Sequence, residues 1–217
     1  MAQGTIHYLF GDLISDQIKL TDKTRFLVGN ILPDPIEPAF RNASHFKVKT
    51  ETHKYFYFEA FRNQYFDLML HDDLYLGYYL HLVEDAFYRA FFYSDRFTMP
   101  RTREEVPILH NDYHILNSYI VQKYNIHNIL GNSYSLEHEP LCDIAPFLID
   151  EFLCEMAYDF TEQTEGNTVF LTESMLDEYV NAYIPLAIEE VKSIKSGYSS
   201  LIAADYAWPA NRGDLSE

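Results

Sequence analysis

Positive charge is scarce in this sequence. Sixteen lysines and arginines stand against 33 aspartates and glutamates, giving a net charge of −17. Such a surface repels a phosphodiester backbone and an anionic bilayer, which argues against duplex nucleic acid or a charged membrane as partner. Cysteine is nearly absent. Cys142 and Cys154 form no C-x-x-C pair, so neither a disulfide scaffold nor a zinc ribbon is expected. No run of about 18 apolar residues occurs, so no membrane span is expected. The start Met1-Ala2-Gln3-Gly4 lacks a basic stretch followed by an apolar one. These features together predict a cytoplasmic chain in a reducing compartment. Internal repeats, low-complexity tracts and a convincing alternating strand pattern are also lacking, which points away from sheets.

What is present is apolar and aromatic. Hydrophobic residues make up 47% of 217 residues, enough for one sizeable core, and a single helical domain over 1–217 is expected. With 18 tyrosines and 16 phenylalanines, that core must hold partners for buried hydroxyls. Helical periodicity covers Ile6 to Ile18, Lys23 to Ile31, Thr52 to Leu70, Leu74 to Tyr93, Asn111 to Tyr124, Ile144 to Tyr158 and Thr172 to Ser196. Pro185 should kink or split the last of these. Leu32 to Lys49, with three prolines, reads as a long ordered loop, and the tail after Ala207 as frayed. The fold class is therefore all-α, a multi-helix bundle.

The segment Leu74 to Tyr93 is apolar almost all round, the mark of a buried helix. It nevertheless carries His81, Glu84, Asp85 and Arg89 at i, i+3, i+4 and i+8, which form one stripe. Burying such groups unpaired costs several kcal/mol each, roughly, so they must satisfy one another or face something polar. His81 and Asp85, one turn apart, can offer two ligands to a divalent cation. The alternative is an internal network of Glu84 and Asp85 with Arg89. Gly77, one turn before His81, would leave room for a metal or substrate, and Gly11 stands likewise one turn after His7.

Asp34 lies between Pro33 and Pro35, which restricts its backbone and suits a pre-aimed carboxylate; a turn aspartate is the plainer reading. His45 falls in the irregular loop. His110 and His114 share a helix face and are further candidate ligands. Asp112 faces inward if its helix begins before it, or caps the helix if it begins after. His71-Asp72 is either the seed of an HD-type phosphohydrolase site or the cap of the central helix.

In chain order, His7, Pro33-Asp34, Ser44-His45-Phe46 and Gly77-Tyr-Tyr-Leu-His81-Leu-Val-Glu-Asp85 resemble the zinc-dependent phospholipase C family, to which the P1-type nucleases are structurally related. The resemblance covers roughly the first half of the chain. It implies an all-helical fold and a cluster of one to three divalent metals, zinc first and manganese or iron as alternatives. Its ligands would be His7, Asp34, His45, His81 and Asp85, with Asp34 also a candidate general base. His110 and His114 stand where the family places a later pair. Phe91 stands where it places another histidine, so a reduced site is expected. The implied activity is hydrolysis of a small phosphate ester, with Arg89 either contacting the phosphate or pairing with Glu84. The rival expectation is a non-catalytic helical binding or structural protein with a degenerate metal site. Oligomeric state is not encoded in these patterns.

Overall fold

The computed structural model describes residues 3–210 and is mostly helical. Helices α1 (Gly4–Ser15) and α2 (Lys23–Ile31) are followed by a short 3-10 turn, Pro38–Phe40, and the single-turn helix α3 (Arg41–Ser44). Strands β1 (Lys47–Lys49) and β2 (His53–Phe56) come next, then α4 (Phe58–His71) and α5 (Asp73–Phe92). Helices α6 (Val106–Tyr124), α7 (Ile149–Asp159) and α8 (Glu173–Lys195) complete the helical set, and β3 (Trp208–Pro209) closes the described chain. The expected loop over 32–49 thus contains a helix turn and a strand. The expected helix over 52–70 begins as a strand. β1, β2 and β3 form one antiparallel sheet in that order, with Val48 opposite Tyr55 and Lys54 opposite Trp208. Strands this short have no room for the alternation that betrays a strand in sequence. Trp208 is buried in β3, so the tail is not frayed from Ala207; residues 211–217 lie outside the described residues.

Helix α5 is the axis of the molecule. Leu74, Tyr75, Leu76, Tyr78, Tyr79, Leu80, Leu82, Val83 and Ala86 are all at most 1% exposed, as an all-round apolar helix should be. Its start is set by Asp72, which caps it by accepting the Leu74 amide at 3.0 Å. Helix α2 lies directly against it. A Cβ on Gly29 would run into the Leu74 carbonyl, and one on Gly77 into the Phe26 carbonyl. The two glycines therefore exist to let two backbones touch, and Gly77 does not open a space for metal or substrate. Gly11 faces the side chains of Leu27 and Asn30 of α2 rather than a backbone. Helix propensity alone would favour Gly77→Ala by about 1 kcal/mol. Backbone overlap opposes it, and overpacking of this kind costs typically 1–3 kcal/mol, so roughly a net loss is expected. Urea unfolding of Gly77→Ala checks this; a midpoint at or above wild type contradicts the close approach.

Buried tyrosines are satisfied as the composition requires. Tyr78 donates to the Ser44 carbonyl at 2.6 Å, Tyr183 to the Leu80 carbonyl at 2.8 Å, and Tyr79 to Glu190 at 2.7 Å. The first of these ties α3 to α5. Helix α8 runs unbroken through Pro185, which is exposed, so the carbonyl it leaves unbonded can be met by water.

Candidate metal centre

Four chain segments deliver side chains to one point. α5 supplies His81, Glu84 and Asp85; α1 supplies His7; the turn after α2 supplies Asp34; and His45 caps the C-terminal end of α3. Each is locked locally. The Gly29–Gly77 approach brings the Asn30 carbonyl to 2.7 Å from His81 Nδ1. Asp34 is held by the Ile36 amide donating to its carbonyl at 2.7 Å and by the Leu148 amide donating to the Pro35 carbonyl at 2.7 Å. Ser44 Oγ donates to the Pro33 carbonyl at 2.9 Å, joining that turn to α3. Phe46 adopts a left-handed backbone, φ 49°, as the chain leaves His45 for β1. His45 is thereby turned inward and is fully buried, unlike an ordinary loop histidine.

The three imidazoles share one design. Every Nδ1 is engaged by the protein: His81 with the Asn30 carbonyl, His45 with the Arg41 carbonyl at 3.0 Å and Ser44 Oγ at 2.9 Å, and His7 with the Glu84 carboxylate. Every Nε2 turns to the same centre. His7 Nε2 lies 3.4 Å from Asp34 Oδ2 and 3.8 Å from Asp85 Oδ1. His45 Nε2 lies 3.3 Å from Asp34 Oδ1, 3.5 Å from Asp85 Oδ2 and 3.3 Å from His81 Nε2. His81 Nε2 lies 3.7 Å from Asp85 Oδ2. Donors bound at 2.0–2.2 Å around a tetrahedral cation stand about 3.3–3.6 Å apart; four of these six separations fall in that range and two lie just beyond it, so the grouping could hold a metal ion. Nδ1 held by an acceptor with Nε2 turned to the centre is the usual outer-shell arrangement of metal-binding histidine.

The electrostatics fit a missing positive charge. Both Asp85 oxygens and His7 Nε2 are buried without a hydrogen-bond partner among the described residues. A buried carboxylate left so is expensive unless a cation completes it. Burial pushes the His81 imidazole well below its ordinary range, helped by the neighbouring His7, so His81 is neutral with Nε2 open as a ligand. Burial acts downward on His7 too, but the charge and hydrogen bond of Glu84, then Asp34 and Asp85, outweigh it and raise His7 to about 9. Burial acts upward on Asp34, while the His45 hydrogen bond and the surrounding imidazoles hold it well below the usual carboxylate range. Burial raises Glu84, against the pull of His7.

The residues able to hold a cation group as His7, Asp34 and His81, and as His45, His81 and Asp85. His81 belongs to both groups. Glu84 is the residue that sequence reasoning missed. It stood on the same stripe, but was matched with Arg89. In the structure it takes His7 and accepts from Tyr179 Oη at 2.8 Å.

Other sequence candidates lie elsewhere. His110 and His114 are exposed, and His114 pairs with Asp159 at 3.3 Å. Their helix begins at Val106, before Asp112, so Asp112 faces inward and accepts the amides of Val169, Phe170 and Leu171 at 2.9, 2.6 and 3.0 Å. The turn that aims Asp112 at the core aims both histidines at solvent. Arg89 does not pair with Glu84; its guanidinium lies over the rings of Tyr93 and Trp208. His71 is exposed, and Asp72 caps α5 while receiving Arg25 through two nitrogens at 2.9 and 2.5 Å, which leaves no HD-type site there. Phe91 packs against Phe87, Phe92, Phe97 and Tyr179. Among the described residues no helix is long and apolar enough to cross a membrane. Compared with known proteins, the chain matches no family model, no curated protein and no solved structure.

Proposed function

We propose that this chain is a metal-dependent hydrolase of small phosphate esters, with a helical fold of the zinc-dependent phospholipase C kind. The observation that carries it is the convergence of three Nε2 atoms and two carboxylates, with every Nδ1 already engaged behind them. Imidazole with carboxylate suits zinc, and manganese or iron share that donor preference. When bound, such a cation supplies Lewis-acid charge to phosphate oxygens and to water. His7, His45, His81 and Asp85 hold it. Asp34 is the donor that reaches solvent, with 12% of its side chain exposed against 0–1% for the others, so substrate arrives on its side. Held ionised, Asp34 can take the proton of the attacking water.

The near-complete burial favours a second reading, a closed structural metal centre, because a catalytic centre needs an open position. Metal analysis of the purified protein, beside hydrolysis of bis(p-nitrophenyl) phosphate and p-nitrophenyl phosphate, separates the two. The enzyme reading expects about stoichiometric metal, turnover in wild type, and loss of both in His81→Ala. Asp34→Asn is expected to keep most of the metal and lose turnover. Metal without turnover on either ester leaves the structural reading; no metal overturns both.

A further inference from the structure

Ser44, the last residue of α3, is fully buried, and both its carbonyl and its hydroxyl are engaged. The carbonyl accepts the Tyr78 hydroxyl at 2.6 Å, which ties Ser44 to the helix that carries His81 and Asp85. Its Oγ lies 2.9 Å from the Pro33 carbonyl, 3.2 Å from the Arg41 carbonyl and 2.9 Å from His45 Nδ1. Only one placement of hydrogens satisfies these contacts. His45 Nδ1 also stands 3.0 Å from the Arg41 carbonyl, which can only accept. Nδ1 therefore carries the ring hydrogen and shares it between the Arg41 carbonyl and Ser44 Oγ. The single Ser44 hydrogen is then free for a carbonyl, and that of Pro33 is the nearer. In a neutral imidazole the other nitrogen is then bare, and Nε2 is the one that faces Asp34 and Asp85. Ser44 Oγ so joins His45 to the residue before Asp34, while the Ser44 carbonyl fixes both against α5. One residue keeps three of the four ligand-bearing segments in register.

We propose that Ser44 is a positioning residue of the metal centre: it touches no cation itself, but sets how tightly His45 and Asp34 hold one. This rests on the reading of that centre as a metal site. Outer-shell partners of this kind orient the ring and raise its basicity, and losing one lowers metal affinity about 10–100-fold. In Ser44→Ala the His45 ring keeps only the Arg41 carbonyl, and the Pro33 carbonyl loses the Ser44 donor that couples Asp34 to α3.

Zinc dissociation constants of the full-length wild type and Ser44→Ala, measured by competition with a chromophoric chelator, test this. Ser44→Ala should bind zinc about 10–100-fold more weakly. A serine serving only the fold would lower the stability of metal-free and metal-loaded protein alike, and the dissociation constant would not move. Wild type that binds zinc beside an unaltered Ser44→Ala therefore overturns this proposal alone, whereas wild type that binds no zinc overturns the metal reading and this proposal with it. A second measurement needs no variant. In isotope-labelled, chelated wild type, nuclear magnetic resonance should find a slowly exchanging hydrogen on His45 Nδ1, identified through the Phe56 ring 6.1 Å away. A bare Nδ1 overturns the proposal, and this spectrum decides if Ser44→Ala does not fold.

Discussion

Asp85→Asn should change the sign of its effect with metal. In the chelated protein it should be more stable than wild type, and in the metal-loaded protein less stable. Asp85 is 1% exposed with both oxygens lacking hydrogen bonds, and the imidazole nitrogens of His45, His81 and His7 lie 3.5, 3.7 and 3.8 Å from it. Removing an unsatisfied buried charge recovers about 1–3 kcal/mol. With a cation present the carboxylate becomes a ligand. Outer-shell changes already lower metal affinity by about 10–100-fold, so loss of a direct ligand should exceed that upper figure. Calorimetric melting with chelator and with added zinc measures both arms. A carboxylate serving only the fold would make Asn destabilising in both, and that result would refute the metal centre.

The same balance explains which parts of the site were legible in the sequence. A charged stripe on an otherwise apolar helix has to be compensated, so His81 and Asp85 stood out from α5 alone. His7, Asp34 and His45 stood out through their order along the chain. Spacing failed where it had to choose a direction. His110 and His114 share a face, but i, i+4 spacing does not say whether that face looks inward; the apolar Leu116 and Ile120 align with Asp112 and decide it. Glycines misled because an absent side chain makes room equally for a ligand or for a neighbouring backbone, and only the position of α2 shows which. Glu84 was visible but assigned to the wrong cation, since no pattern within α5 could reveal His7 arriving from α1. Strands of two to four residues were below the length at which alternation can be read.

Metal binding should release a proton, and the affinity should rise with pH. The metal-free protein holds His7 protonated up to about 9, because Glu84 and the two aspartates outweigh its burial. Its folded value lies above the ordinary 6.5, so its contribution to stability is complete below 6.5 and is lost as pH rises through about 9. Over that window the loss is about 3 kcal/mol. His81 has the opposite sign. Burial depresses it, so its contribution is present above 6.5 and lost as pH falls. From these two groups the chelated protein is most stable near 6.5. A cation needs His7 Nε2 bare and must displace its proton, so affinity should climb about tenfold per pH unit, roughly 300-fold from 6.5 to 9. The gap between metal-loaded and chelated melting temperatures should therefore widen across the same window. Titration calorimetry at pH 7.5 in buffers of different ionisation enthalpy counts the proton directly, and uptake of metal with none released contradicts the scheme. Glu84→Gln removes the charge that holds the proton on His7. It should flatten the pH dependence while lowering affinity at high pH, where the carboxylate only orients the ring. A mere packing role for Glu84 would lower affinity equally at every pH.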